Sequence, residues 1–440
     1  MLSFDLNTDR IIEEFRSKVQ MSFQMNLEFR QICTFLLVNG CDVSYFLNSF
    51  LEKNVPEGAL IRKNDAKKLL AKLRAEAIRS TPVKRRETQA YAAKQAFGNE
   101  KGEKKRITAW VEEDIKDDPR AKTLAEFADE IVYIHHYKDV FNSGEHDFKT
   151  EKKSGNFIIA KNREKLVYPG APFCQSFGNE HFYYASCVKN CIFDCDYCFL
   201  QGLYPCGYPV YFINLEDYFK ELDELLKEFP VYLCISYDTD LLAMEQRLHY
   251  VEKWIVYAQS NPDLKIEIRT KSGNSAPFLK FKQLLNARGA ENCKNVVFAW
   301  TISPKEVVSL AESGLPDVEK RLDALMAAKK AGFPVRLCFD PMIFHENWKN
   351  SYSELFKSVF NYIKAEDIED VSVGVFRIAN NLLKRMRNAN ETSPITQFPY
   401  VTENGACHYG DLSREMVDFA VEELKKYMPA EKIYAWEGNE

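Results

Sequence analysis

The chain has 440 residues, of which 46% are hydrophobic and 28% charged, and its formal net charge is −5. That balance suits two or three packed domains and excludes a disordered chain, a collagen-like repeat and a general polycation. No apolar run approaches the ~20 residues of a membrane helix, and the opening MLSFDLNTDR lacks the basic and apolar regions of a signal peptide. A cytoplasmic protein without a membrane partner is expected.

In chain order, residues 9–53 read as helical, with apolar residues at three- and four-residue steps through Ile11, Ile12, Phe15 and Val19. A second helix is expected to start near Asp42, after the Asn39-Gly40 turn. Such a pair is a plain helical hairpin more often than a DNA-binding helix-turn-helix. Residues 61–106 hold fifteen Lys and Arg against five Asp and Glu, a local net of +10 that leaves −15 for the remainder. The run is either a solvated face or a phosphate-facing surface. Residues 1–115 are therefore read as a helical, basic extension, and 116–170 as a linking segment.

From 171 to 392 strands alternate with helices. Strands are expected at 182–185, 231–236, 264–270, 296–302, 335–339 and 371–376. Helices are expected near 214–228, 241–260, 276–288, 304–330, 350–364 and 379–390. Six βα units imply an α/β fold with a parallel sheet, curled into a partial (β/α)6 TIM-like barrel whose site lies at the C-terminal strand ends, with a doubly wound sheet as the alternative. Residues 393–440 form a closing segment, with a helix near 413–427 and a strand at 432–436.

Twelve cysteines are present, and Cys187, Cys191, Cys195 and Cys198 fall within twelve residues. A tight cluster in a long chain points to a metal or redox site rather than a disulfide scaffold. Cys191, Cys195 and Cys198 stand in C-x3-C-x2-C spacing. Three thiolates on one loop can hold three corners of a [4Fe-4S] cube, leaving one iron open to a ligand. Zinc is the alternative, with Cys187 or Cys206 as fourth ligand. No Walker loop, HExxH or G-x-S-x-G supports a phosphotransferase or hydrolase.

The triplet, with Tyr197 before its last cysteine, resembles the radical S-adenosylmethionine superfamily. The run Cys195-Asp-Tyr-Cys198-Phe-Leu-Gln201 resembles the cluster loop of the spore photoproduct lyase-like family. The stretch Phe339 to Trp348, carrying His345-Glu346, and the preceding helix from Arg321 to Pro334 resemble further segments of that family, and the similarity covers about 130–440. The resemblance implies a [4Fe-4S] cluster and S-adenosyl-L-methionine as cofactors. It also implies a 5′-deoxyadenosyl radical as the hydrogen-abstracting agent and repair of a methylene-bridged thymine dimer in DNA, a carbon–carbon lyase reaction. DNA and an electron donor such as flavodoxin or ferredoxin are the implied partners. An enzyme of the same chemistry acting on RNA, a peptide or a small molecule, and a cluster-bearing binding or redox-sensing protein, are the alternatives.

The resemblance also assigns cofactor contacts. Thr239 and Asp240 stand near the methionine moiety, Lys271 meets its carboxylate, Thr301 and Ser303 contact the nucleoside, and Asp340 is expected at the ribose. Thr239, Asp240 and Ser303 have helix capping as their structural alternative. Arg377, Lys384 and Arg385 match a late basic segment and are expected to bind substrate. His345 and His408 are read as structural. The hydrogen donor departs from the family, which uses a cysteine just before its Thr-Ser-Asp stretch and a tyrosine after the last cluster cysteine. Here those positions are Tyr237 and Phe199. Tyr237 is the favoured donor and Cys234 the second candidate.

Overall fold

The computed structural model describes residues 4–81, 83, 106–144, 146–171 and 174–436. The Lys84-Arg85-Arg86 and Lys104-Lys105 parts of the basic run lie outside the described residues. Most of its described part is the helix Lys63–Ser80, which buries Leu69, Leu70 and Leu73 and turns Lys67, Lys68 and Lys72 to solvent.

Residues 6–54 form three helices, α1 (Leu6–Lys18), α2 (Phe23–Val38) and α3 (Val43–Asn54). The sequence reading merged the first two. Ser22 separates them, because its side chain accepts from the Met25 amide and starts a new helix. Asp42 caps α3 in the same way through the Tyr45 amide. These helices and Lys63–Ser80 enclose their own core, with Phe15 stacked on Phe29 at 4.4 Å. The unit docks on the rest of the chain where Phe35 meets Phe398 edge-on at 5.3 Å and Gln31 donates to the Gln397 carbonyl at 2.7 Å.

The remaining strands are, in chain order, β1 (Thr108–Glu112), β2 (Glu130–Ile134), β3 (Phe157–Ala160), β4 (Val167–Pro169), β5 (Phe182–Ala185), β6 (Val188–Lys189), β7 (Val210–Phe212) and β8 (Val231–Cys234). They continue as β9 (Leu264–Thr270), β10 (Val296–Thr301), β11 (Val335–Met342), β12 (Val371–Val375), β13 (Ile378–Ala379), β14 (Val401–Glu403), β15 (Ala406–His408) and β16 (Ile433–Ala435). Eight of them make the main sheet, in the order β16-β12-β11-β10-β9-β8-β5-β4. Every pair from β5 to β16 is parallel, and only β4 at the edge is antiparallel. Strands β8, β10 and β12 are buried at every residue. Their near-continuous apolar runs are what a parallel sheet covered on both faces requires. This is the α/β partial barrel, with its six expected strands in place.

Two expected helices are broken. The 241–260 helix stops at His249, whose φ is +54°, and resumes as Tyr250–Gln259. The 304–330 helix divides into Lys305–Ala311 and Val318–Ala331. Gly314, at φ +79°, turns the chain, and Asp317 caps the second helix by accepting from the Lys320 amide. The break releases Glu312 into the interior. Residues 116–170, expected as a link, carry β2, β3 and β4. Strands β1 to β3 join β7 and β6 in a five-stranded sheet ordered β2-β1-β3-β7-β6. Residues 171–392 and 393–440 share the main sheet, since β16 pairs with β12 and the helix Asp411–Leu424 packs beside it.

Charges cross the barrel interior. Arg336, fully buried on β11, donates to both oxygens of Asp370, to Tyr232 Oη at 2.6 Å and to Glu267 Oε1 at 3.0 Å. Phe177 covers its guanidinium at 3.2 Å. Glu267 also pairs with Arg269, whose Nη2 donates to the Gln175 carbonyl at 3.0 Å. This network ties β8, β9 and β11 to the segment around Cys174. Removing one member of a buried pair costs about 3–5 kcal/mol because the partner stays charged and unmatched. Arg336→Met, which strips Asp370 of both bonds, is therefore expected to lower the unfolding free energy by about that amount, measured by urea denaturation.

Candidate active site

A cavity of about 350 Å³ opens at the C-terminal ends of the barrel strands. Cys191, Cys195 and Cys198 line one side of it. Their loop is shaped from both ends. Asn190, at φ +66°, gives its amide hydrogens to the carbonyls of Cys206 and Tyr208, both at 2.8 Å. Gln201 Nε2 donates to the Cys195 carbonyl at 2.7 Å. The short helix Leu200–Leu203 then presses against the helix Asn380–Ala389, where a Cβ on Gly202 would lie 2.4 Å from the Leu382 carbonyl oxygen. Only glycine allows that approach.

The middle of the loop is held by Glu312. Its carboxylate accepts from Tyr197 Oη, from Ser303 Oγ at 2.9 Å and from Arg321 Nη2 at 2.5 Å. All four side chains are buried. Burial opposes the charge on Glu312, but Arg321 and Lys271 outweigh it and hold the carboxyl below its usual range.

Of the expected cofactor contacts, Thr239, Asp240, Lys271, Thr301 and Asp340 all line the cavity. The Thr239 hydroxyl is buried and has no hydrogen-bond partner among the described residues. Asp240 is more committed, accepting from Thr270 Oγ1 at 2.8 Å, the Lys271 amide at 2.7 Å and the Ala243 amide at 3.0 Å. Lys271 Nζ lies 5.3 Å from the centre of the Tyr197 ring. Burial works against its charge, yet Cys195 and Glu312 keep its pKa above the ordinary value. Asp340 pairs with Arg377 through both oxygens, at 2.7 and 3.0 Å. Gly374 leaves room for that pair, since a Cβ there would sit 2.8 Å from Arg377 Nη1 and from the Asp340 carboxyl carbon.

Other expected residues stand elsewhere. Ser303 is not part of the cavity wall, because its hydroxyl is drawn to Glu312. Lys384 and Arg385 are exposed on the outer side of Asn380–Ala389, where Arg385 Nη1 donates to the Gly202 carbonyl at 3.3 Å. Only Arg377 of the basic trio reaches the cavity. Cys234 is fully buried beneath the site, and burial pushes its thiol up to about 12. Tyr237 does face the cavity, because β8 ends at Cys234 and the strand alternation lapses before it. Cys187 is fully buried away from the wall, and Cys206 clusters with His146 and Glu151. Neither completes a four-ligand zinc site with the triplet.

Among the wall residues not anticipated are Cys174, Ser236 and Arg269. Cys174 interacts with Tyr237, whose phenol is pushed up first by burial and then by the thiol beside it. The Tyr184 ring lies tilted against Tyr237 at 4.4 Å between centroids, and Phe199 lies 5.5 Å from it. Cys174 sits in irregular chain with no motif around it. The seven-cysteine bias of 174–234 was its only signal.

The donors suit an iron–sulfur cluster with an amino-acid-bearing cofactor beside it. Among the described residues, the groups of three ligand atoms that close to within 4.8 Å are His146–Glu151–Cys206 and Glu245–His249–Glu252. The three loop sulfurs are not such a group, so they stand wider than the ligands of one ion. Lys152, almost wholly buried, brings an ammonium with no hydrogen-bond partner toward the same loop. The unpartnered Thr239 hydroxyl and the Lys271 ammonium belong to the same cavity as the sulfurs.

Fold and site together define a barrel of the radical S-adenosylmethionine class. The family model for spore photoproduct lyase matches residues 178–417, and the chain belongs to the spore photoproduct lyase family. It is 26% identical over 178 residues to the spore photoproduct lyase of Bacillus subtilis (strain 168), an alignment that covers 39% of this chain and spans about half (49%) of that relative. Among solved structures it resembles a spore photoproduct lyase complexed with dinucleoside spore photoproduct, with TM-score 0.62 and 17% identity over 74% of this chain and 97% of that one. A variant of that enzyme with bound AdoMet and dinucleoside spore photoproduct gives TM-score 0.61 and 19% identity over the same shares. At these identities the structural likeness speaks for the fold.

Tyr197→Phe removes the loop's bond to Glu312 while leaving Ser303 and Arg321 in place. A hydrogen bond to a charged group contributes about 1.5–3 kcal/mol, so loop opening should become about ten- to a hundredfold more frequent. The alkylation rate of Cys195 in the metal-free protein is expected to rise by that factor, as followed by peptide mass spectrometry.

Proposed function

We propose that this protein is a radical S-adenosylmethionine enzyme that reverses a methylene-bridged thymine dimer in DNA, with a [4Fe-4S] cluster held by Cys191, Cys195 and Cys198. The observation that carries the reading is the convergence of that triplet with Lys271, Thr239 and Asp340 on one cavity at the strand ends, in a chain of this family. When bound, the cluster and S-adenosylmethionine supply a 5′-deoxyadenosyl radical that takes a hydrogen atom from the substrate and whose methyl group returns one at the end.

The chain's own residues position and quench. Lys271 offers its ammonium to the cofactor carboxylate, and the free Thr239 hydroxyl takes the amino group. Asp340, fixed by Arg377, is placed for the ribose hydroxyls, and Thr301 for the nucleoside. Arg377 contributes to the substrate side through the same ion pair. Flavodoxin or ferredoxin is the proposed electron source.

For quenching, Cys174 joins Tyr237. The S–H bond of Cys174 breaks and a C–H bond forms on the thymine product radical. The resulting thiyl would take the phenolic hydrogen of Tyr237, and a hydrogen atom returned to the phenoxyl would regenerate the phenol. A thiol on a different segment thereby replaces the family's cysteine, whose position Tyr237 occupies. Cys234, enclosed by the core, has no path to a cavity radical.

The test is anaerobic reconstitution followed by mass spectrometry of products from irradiated DNA. Cys191→Ala, Cys195→Ala and Cys198→Ala are each expected to abolish 5′-deoxyadenosine formation. Full activity in any one removes that residue from the ligand set. Cys174→Ala and Tyr237→Phe are expected to keep forming 5′-deoxyadenosine while intact thymine product falls and adducts rise. An unchanged product partition in Cys174→Ala assigns the donor role to Tyr237 alone.

A further inference from the structure

Lys152 ends the helix Phe148–Lys152, before residues 178–417 that the family model matches. Its side chain is 4% exposed and its Nζ has no hydrogen-bond partner among the described residues. The nearest carboxylate oxygen, on Asp194 in the loop between Cys191 and Cys195, is 3.8 Å away, beyond hydrogen-bond range. The helix is clamped in place. Glu151 accepts from the Gly207 amide at 2.8 Å and pairs with His146 at 2.6 Å. A Cβ on Gly207 would fall 2.3 Å from the Phe148 carbonyl oxygen and 2.9 Å from the Lys152 amide nitrogen. Gly207 thus lets the helix end lie against the chain that leaves the cysteine loop.

A buried ammonium without acceptors is costly unless a negative charge faces it. Among the described residues Asp194 gives Lys152 one loose ion pair at 3.8 Å and no hydrogen bond. As neutral thiols the cysteines cannot match that charge. As thiolate ligands of a cluster they can. Cluster potentials respond to local charge and to hydrogen bonds on the sulfurs.

We propose that Lys152 is a positioning residue for the cluster, directing its N–H groups at cluster-bearing sulfurs and raising the reduction potential. This rests on the proposed [4Fe-4S] site. The test is an anaerobic redox titration of the reconstituted protein, followed by electron paramagnetic resonance, in wild type, Lys152→Met and Lys152→Arg. Lys152→Met is expected to disfavour reduction at least about tenfold, which is about 59 mV for a one-electron couple, and Lys152→Arg to recover most of it. Without the cluster the order of stability should invert, with metal-free Lys152→Met melting above metal-free wild type. A folded Lys152→Met protein that loads little iron also supports the proposal when Lys152→Arg restores loading, and overturns it when it does not. An unchanged potential in fully loaded Lys152→Met overturns it. Failure of the wild type itself to take up a four-iron cluster would instead count against the proposed function.

Discussion

A single buried carboxylate, Glu312, fixes the site. It joins the cysteine loop through Tyr197, the end of β10 through Ser303 and the helix Val318–Ala331 through Arg321. A carboxylate this deep is tolerable only with all of its partners present, so the three elements are held in one arrangement or lose stability together. The interruption at Gly314 makes this possible, because a continuous helix would carry residue 312 along its own axis. Beneath the cavity the Glu267–Arg269–Arg336–Asp370 network does the same for β8, β9 and β11. Between these two polar anchors lies the space that the three cysteines border.

What the sequence disclosed depended on range. Strands buried on both faces announce themselves as short Val- and Ile-rich runs, and the cysteine triplet is a local pattern, so both were readable. Residues placed at strand ends, such as Thr239, Lys271 and Asp340, followed from the barrel's geometry. Side-chain destinations did not. Ser303 stands at a strand end but is taken by a carboxylate nine residues on. Lys384 and Arg385 share a helix whose inner face is spoken for by Leu383 and Met386. Cys174 reaches the cavity through the fold of the whole barrel, which no window of sequence contains. The helix breaks at His249 and Gly314 are positive-φ events inside patterns that otherwise look continuously periodic.

The barrel is the part that the family model matches, whereas the helical unit at the start of the chain adds structure of its own. The helical unit keeps a separate core and touches the remainder through Phe35 and Gln31. The five-stranded sheet is more deeply involved. It takes β6 and β7 from the barrel half of the chain, and its connecting segments deliver Lys152 to the cysteine loop. That sheet thus contributes to the surroundings of the cysteine loop.

The long sequence separation between the cysteine loop and its anchor has a bearing on how the protein matures. Glu312 follows Cys198 by about 110 residues, which at roughly 5–20 residues per second of synthesis is about 6–20 s. During that interval Tyr197 lacks its acceptor, and the loop that carries the three thiols has Asn190, Gln201 and Lys152 but not Glu312 to hold it. A ribosome-bound chain therefore presents its cysteines before it can seat them. Assembly has an order written into the spacing: the thiols emerge first, the clamp that fixes their geometry second, and β11, β12 and β16 of the barrel wall last.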